Sequence, residues 1–269
     1  MPNYALLVEY DGSYFHGWQI QKSQRSVQGT LEEALLQILV GNTSSPLSVA
    51  GRTDTGVHAL GMVCNFRTPR PVSFWERLPK AINAKVRQGV AVKGIVEVPE
   101  EFHSRFSCQS RLYTYRVYYN SEPSPLEANR AYWMRYPVDW ERIRKEMKSI
   151  LGERDFRSFG KKASAAGKRT FRNLQSISLE ERDPNLYLFQ IQADGFLHNM
   201  VRILVGTLLD IGKGRWDSRT MDSILSEEDR VEAGRTLPPH GLYFQRAFYP
   251  SYPQIDFLYN PRLPVPRKP

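Results

Sequence analysis

The spacing of hydrophobic residues predicts several amphipathic helices along the chain. The clearest begins after Ser26, whose hydroxyl group can cap the first turn, and ends at Gly41. Its apolar residues share one helical face: Val27, Leu31, Ala34, Leu35, Ile38 and Leu39. A second pattern runs from Ser73 towards Val86, and Pro79 predicts a kink or a new helix start within it. Further helices are predicted at 140–151, 198–211 and 220–225.

Runs of β-branched and aromatic residues predict strands between these helices, at 4–10, 62–67, 90–98, 112–119, 174–179, 186–193 and 243–248. The segment 14–21 mixes aromatic residues with amides and has no clean period, so we predict a loop with partly exposed rings. Strands and long helices alternate unevenly and some strands form hairpin-like pairs. This order predicts an α+β layered architecture with a mainly antiparallel sheet.

One short loop, 51–58, concentrates groups that could carry chemistry. Gly51 and Gly56 bracket it, so the backbone can turn tightly or approach a ligand closely. Between them lie the carboxylate of Asp54 and the guanidinium of Arg52, among hydroxyl groups. A carboxylate beside a cation on a constrained loop is a reasonable catalytic centre. An ordinary Asx-type turn is the alternative, and these residues alone leave both open.

The charge balance favours a polyanionic partner. The chain has 269 residues and a net charge of +9, with 14 tyrosines and 5 tryptophans that could stack on bases. Solubility alone could also account for the charge. A basic, small-residue-rich stretch at 161–172 predicts a mobile loop, which is either merely solvated or in contact with phosphate. Its candidate phosphate contacts are Lys161, Lys162, Lys168, Arg169 and Arg172.

Several classes of protein find little support in the composition. The two cysteines form no CxxC pair and the five histidines are isolated, which argues against a disulfide scaffold and a metal site. The N-terminus does not resemble a signal peptide. No apolar run approaches the roughly 20 residues needed to span a bilayer. We therefore expect a cytoplasmic protein.

Arg202 stands out because its predicted helix is otherwise almost entirely apolar. A buried guanidinium needs a partner, since an uncompensated buried ion costs roughly 3–5 kcal/mol. Asp54 is a candidate carboxylate. The alternatives are that Arg202 reaches the surface or pairs with another acid such as Asp210.

A series of motifs resembles the TruA family of tRNA pseudouridine synthases nearly end to end. In order, they are Tyr10-Asp11-Gly12, Gly17-Trp18-Gln19, Val27-Gln28, Gly51-Arg52-Thr53-Asp54, Phe102-His103-Ser104-Arg105-Phe106-Ser107, Tyr113-Thr114-Tyr115, Gly152-Glu153-Arg154-Asp155-Phe156, Met200-Val201-Arg202 and Gly241-Leu242-Tyr243. The resemblance implies an isomerase that detaches uracil from its ribose, rotates it and rejoins it through carbon. It also implies action on the anticodon arm of tRNA, at uridines 38, 39 and 40, as a homodimer that needs no cofactor or metal.

The resemblance further implies the pseudouridine synthase fold, with two similar subdomains whose antiparallel sheets join across a central basic cleft. We expect residues 1–104 to form the N-terminal subdomain with the catalytic loop. Residues 105–269 would form the C-terminal subdomain that completes the cleft.

Site roles follow from the same resemblance. Asp54 is the essential residue, acting as a nucleophile towards ribose or base or as a base that removes a ribose proton. Tyr113 would stack on the target base. Arg202 would pair with Asp54 and keep it ionised. Arg52 would fill the position that the uridine vacates or hold a phosphate, and Leu242 would form an apolar wall of the pocket.

Two other functions remain open at this point. The same charge and aromatic residues would suit a non-catalytic tRNA-binding protein or chaperone. A metal-dependent RNA hydrolase built around Asp11 and Asp54 is the other alternative.

Overall fold

The computed structural model describes the chain except residues 43–45, 162–168, 217 and 261–269. It divides into two compact units. The first contains Met1–Arg111 and the described part of Phe244–Pro269, and the second is Leu112–Tyr243. The first unit is therefore completed by residues from the end of the chain. The division at 104 and 105 expected from the sequence stays a prediction.

The first unit is built on an antiparallel sheet with β1 (Asn3–Tyr10) between two longer partners. One partner is β3 (His58–Arg67), in a register that places Leu7 opposite Val63, and the other is β4 (Val90–Val98). The short β2 (Ser48–Val49) pairs with β3. The remaining elements are α1 (Val27–Leu39), α2 (Leu78–Lys85), β10 (Leu242–Phe248), whose last five residues belong to this unit, and α6 (Gln254–Tyr259).

Helix α1 confirms the sequence prediction almost residue for residue. Ser26 caps it by accepting a hydrogen bond from the backbone N–H of Gly29, and it ends at Leu39, with Val40 as its C-cap just before Gly41. Its buried face packs Val27, Leu31, Ala34, Leu35 and Leu39 into the core of the unit. The prediction at Pro79 is also confirmed, because α2 starts at Leu78 with this proline in its first turn.

The second unit combines strands with a buried helix. Its strands follow the sheet order β5 (Ser110–Tyr119), β9 (Leu186–Ala193), β8 (Phe171–Asp183) and β7 (Gly152–Asp155), and β6 (Tyr132–Met134) runs parallel to β5. The β7–β8 and β8–β9 pairs are antiparallel. The described part of this unit also contains the helices α3 (Trp140–Ser149), α4 (Met200–Gly212) and α5 (Met221–Glu227). Every residue of α4 except Arg202 is buried.

The predicted mixture of helices with mainly antiparallel strands is confirmed. The prediction of partly exposed rings at 14–21 is wrong for Phe15 and Trp18, which are buried beside Tyr10. The basic stretch is not all loop, since β8 already begins at Phe171. Strands β2, β6 and β7 and helix α6 were not predicted. None of the helices in the described ranges is both long and apolar enough to cross a bilayer.

Candidate active site

Asp54 lies on a closed turn between β2 and β3. The backbone N–H of Val57 donates to the carbonyl oxygen of Asp54 at 3.1 Å, and Gly56 has a φ of +79° that favours glycine. Thr53 is buried, Asp54 is half-buried and Arg52 is exposed. The Asp54 carboxylate is thus carried by a fixed backbone. The Arg52 side chain is exposed to solvent.

The segment 10–18 holds the loop at Thr53. The backbone N–H of Trp18 donates to the carbonyl oxygen of Thr53 at 3.0 Å, and the hydroxyl groups of Tyr10 and Thr53 lie 2.7 Å apart. Gly17 has a φ of +86°, and a Cβ atom there would lie 2.7 Å from the carbonyl oxygen of Thr53. Glycine is required at this position by both its backbone conformation and its close approach to the loop.

Arg111 fixes the start of the same loop. Its Nε donates to the carbonyl oxygen of Ala50 at 2.9 Å, and its Nη2 donates to the carbonyl oxygen of Arg105 at 2.9 Å. Ala50 also donates its backbone N–H to Val63 of β3 at 2.9 Å. The residue before Gly51 is therefore held from both sides.

Asp11 caps a turn next to this loop. Its Oδ1 accepts hydrogen bonds from the backbone N–H of Ser13 at 3.0 Å and from the Ser13 hydroxyl group at 2.7 Å. The backbone N–H of Gly12 donates to Nδ1 of His58 at 3.1 Å. Oδ1 of Asp11 lies 3.2 Å from the same nitrogen. These contacts give Asp11 a structural role, which weakens the hydrolase hypothesis built on it.

Arg202 is clamped within the second unit. Its Nε donates to the carbonyl oxygen of Leu237 at 2.6 Å, and its Nη1 donates to Oδ1 of Asn199 at 2.8 Å. Asp210, the alternative partner, forms ion pairs with Arg215 at 3.2 Å and Arg235 at 3.9 Å. The guanidinium is thus set in a defined orientation at the start of α4. Its pairing with Asp54 stays a prediction.

Tyr113 and Leu242 are both buried side chains of the second unit. The ring of Tyr113 is buried and meets Phe196 edge to face, with centroids 4.9 Å apart. Leu242 is buried where β10 begins. Pro238 comes shortly before Leu242 in the chain, and its carbonyl oxygen accepts a hydrogen bond from the Tyr115 hydroxyl group at 2.8 Å. Burial raises the pKa of Tyr115, so this phenol stays protonated and keeps the bond.

The predicted site residues divide between the units. Arg52 and Asp54 share one loop of the first unit, whereas Tyr113 and Arg202 belong to the second, as does Leu242.

Of the candidate phosphate contacts, Lys161 and Arg169 are exposed, and Arg169 forms an ion pair with Glu153 at 2.6 Å. Arg172 donates to the carbonyl oxygens of Arg169 and Phe171. Lys162 and Lys168 lie outside the described residues.

Sequence reasoning missed the residues that support the site: Tyr10, Gly17, Arg111, Asn199 and Leu237. Tyr10 and Gly17 belong to two of the family motifs, Tyr10-Asp11-Gly12 and Gly17-Trp18-Gln19, but the sequence alone suggests no role for either residue. Within the described ranges, no three His, Cys, Asp or Glu side chains are grouped so that they could hold one metal ion.

Comparisons with known proteins agree on one family. The sequence profile described as "tRNA pseudouridine synthase" matches residues 6–107 and 147–250. A tRNA pseudouridine synthase A of Leptospira biflexa serovar Patoc is 56% identical over 266 residues, which cover 99% of this chain and 100% of the relative. The enzyme of the same name from Acetivibrio thermocellus is 38% identical, over 93% of this chain and 100% of the relative.

Among solved structures, a chain of a Cbf5-Nop10-Gar1 complex shows 12% sequence identity and a TM-score of 0.36. The match covers 94% of this chain and 63% of that chain. This structural similarity is too low to support a family assignment. The assignment rests on the similarity in sequence. This chain belongs to the tRNA pseudouridine synthase A family and is an isomerase that converts uridine to pseudouridine in tRNA.

Proposed function

We propose that this enzyme modifies the anticodon arm of tRNA at positions 38, 39 and 40, with Asp54 as its catalytic carboxylate. The observation that carries the role of Asp54 is the rigidity of its loop. Thr53 immediately precedes Asp54. Its carbonyl oxygen accepts a hydrogen bond from the backbone N–H of Trp18, and its hydroxyl group is hydrogen-bonded to that of Tyr10. A carboxylate on a backbone fixed in this way is preorganised, which avoids the cost of ordering it during the reaction.

The reaction breaks the bond between N1 of uracil and C1′ of ribose and forms one between C5 and the same C1′. A proton leaves C5 and another joins N1, so the product is an isomer of the substrate. Asp54 can serve either as a nucleophile, at ribose or base, or as a base that takes a ribose proton. Both routes need an ionised carboxylate close to the nucleoside, and the half-buried position of Asp54 suits either.

The other proposed contacts come from three residues of the second unit and from Arg52 of the first. Tyr113 would stack on the target base, and its edge-to-face contact with Phe196 supports a fixed ring plane. Arg202 would pair with Asp54, for which its clamped guanidinium is suited. Leu242 would form an apolar wall, while the exposed Arg52 would occupy the space left by the uridine or bind a phosphate.

Charge supports the proposed recognition of the RNA backbone. The net charge of +9 favours a polyanion, and the exposed Lys161 and Arg169 are proposed phosphate contacts, as is Arg172. The same proposal extends to Lys162 and Lys168. We further propose a homodimer, as the family resemblance implies, and a cytoplasmic location, as expected from the N-terminal sequence.

The positions are tested by mapping pseudouridine in unmodified tRNA transcripts treated with the purified protein. Transcripts that carry uridine at only one of positions 38, 39 and 40 should each be modified at that position, and a transcript with none should stay unmodified. Pseudouridine confined to another arm of the tRNA would refute the proposed site. Tight binding without any pseudouridine would instead support the non-catalytic alternative.

A further inference from the structure

An exposed phenylalanine on a tightly held turn has no role in the function described so far. Phe106 lies in the turn 103–107 of the first unit and is 78% exposed. Leaving a large apolar side chain in water forgoes the favourable free energy of its burial. The ring is therefore accessible to a ligand from solvent.

The buried side of the turn is anchored by hydrogen bonds to the core. Ser104 is fully buried, donates its backbone N–H to Oδ1 of Asn65 at 2.9 Å and accepts at its carbonyl oxygen from the Tyr249 hydroxyl group at 2.6 Å. The side chain of Asn65 in turn donates to Asn3 at 2.9 Å. The backbone that carries Phe106 is consequently held in place before any ligand arrives.

The exposed side of the turn combines aromatic and cationic groups. The His103 ring lies 4.4 Å from the Phe106 ring, centroid to centroid, and the Arg105 guanidinium lies 5.8 Å from the centre of the same ring. Nδ1 of His103 accepts from the backbone N–H groups of Arg105 and Phe106 at 3.1 Å and 3.4 Å, which fixes the imidazole. Aromatic faces beside arginine are the chemistry with which proteins bind unpaired nucleobases.

The turn is also joined to the loop of Asp54. Arg111 donates to the carbonyl oxygen of Arg105 and to that of Ala50, the residue before Gly51. The Arg111 guanidinium thus links the turn that carries Phe106 to the loop that carries Asp54, within the first unit. The turn of Phe106 and the loop of Asp54 are therefore held by the same side chain.

We propose that Phe106, with His103 and Arg105, stacks on an unpaired nucleobase of the tRNA other than the uridine being isomerised. The inference rests on the proposed function and adds a second base contact to it. It assigns Phe106 to substrate affinity, not to chemistry, because the ring carries no group that could transfer a proton or bond to ribose.

The test is a series of substitutions at position 106, with tRNA affinity and single-turnover rate measured for each. Phe106→Ala should weaken tRNA binding roughly 5- to 140-fold, the range for losing one stacked base, and leave the rate at saturating tRNA unchanged. Phe106→Trp should bind at least as well as the wild type. Phe106→Leu should resemble the alanine variant, because it keeps apolar area but has no aromatic face.

Phe74→Ala is the matched control, since Phe74 is also an exposed phenylalanine of the first unit, at 43%. Its affinity should equal that of the wild type. Wild-type affinity in Phe106→Ala, or full rescue by leucine, would overturn the inference. So would a change in the sedimentation coefficient of the free Phe106→Ala protein, which would assign the ring to a protein interface. The proposed function is tested by mapping the modified positions with the wild-type protein. The affinities of the Phe106 variants are measured independently, so failure of the inference can be told from failure of the proposed function.

Discussion

The hydroxyl group of Tyr10, at the end of β1, lies 2.7 Å from the hydroxyl group of Thr53, the residue immediately before Asp54. Both residues are buried, so this bond is shielded from water. It ties the proposed catalytic loop to a central strand of the first unit. The position of Asp54 therefore depends on a residue that takes no part in the chemistry.

Tyr10→Phe removes this bond and leaves the Thr53 hydroxyl group buried without it. We expect a loss of stability of about 1–3 kcal/mol and a fall in kcat of about 10-fold, because the loop is less well positioned. Thermal unfolding and single-turnover rates measure the two effects. Tyr14→Phe, at a half-exposed ring nearby, should change neither; equal effects from both variants would contradict the role of the Tyr10–Thr53 bond.

Gly17→Ala should distort the loop directly. Alanine at a φ of +86° costs roughly 1–2 kcal/mol in backbone conformation, and its Cβ would in addition meet the carbonyl oxygen of Thr53. Gly41→Ala is a close control, because its φ is +77° and its Cβ would meet none of the described residues within 4 Å. Only Gly17→Ala should lose turnover. Comparable activity of the two alanine variants would show that the close approach to Thr53 does not matter.

Arg202→Leu should fold but lose most of its turnover. Leucine suits the apolar helix α4, whereas the guanidinium bonds to Leu237 and Asn199 disappear together with the proposed contact to Asp54. Circular dichroism would check folding and single-turnover kinetics would check activity. Arg144→Leu, which removes an exposed ion pair with Glu141 on α3, should leave turnover intact. Near-normal turnover of Arg202→Leu would remove this residue from the site.

His103 predicts a pH dependence of stability. Burial, helped by Arg67 and Arg105, lowers the pKa of His103 below its unfolded value of about 6.5. As the pH falls through 6.5 the unfolded chain takes up a proton first, so this group destabilises the fold progressively at acidic pH. Asparagine can keep the acceptor for the backbone N–H groups but does not titrate. His103→Asn should therefore show a smaller drop in Tm between pH 7 and 5.5 than the wild type, and an equal drop would argue against the shift.

Local features of the sequence were sufficient to predict α1, because its cap and its apolar face lie within one short stretch. Burial of Phe15 and Trp18 could not be predicted in this way, since both rings pack against Tyr10 of β1 and Trp18 also donates its backbone N–H to Thr53. Asp54 was singled out by its motif. The residues that hold it are distant in sequence: Arg111 reaches Ala50 across 61 positions, and no local pattern marks such a contact.

The catalytic role of Asp54 is tested most directly by Asp54→Asn, a substitution that keeps the size of the side chain and removes its charge. We measure pseudouridine formed in the anticodon arm under single-turnover conditions, together with tRNA affinity. The account predicts a fall in rate of at least about 1000-fold with affinity largely retained, and no change for Asp222→Asn at an exposed carboxylate. Pseudouridine formation by Asp54→Asn at a rate near that of the wild type would contradict it.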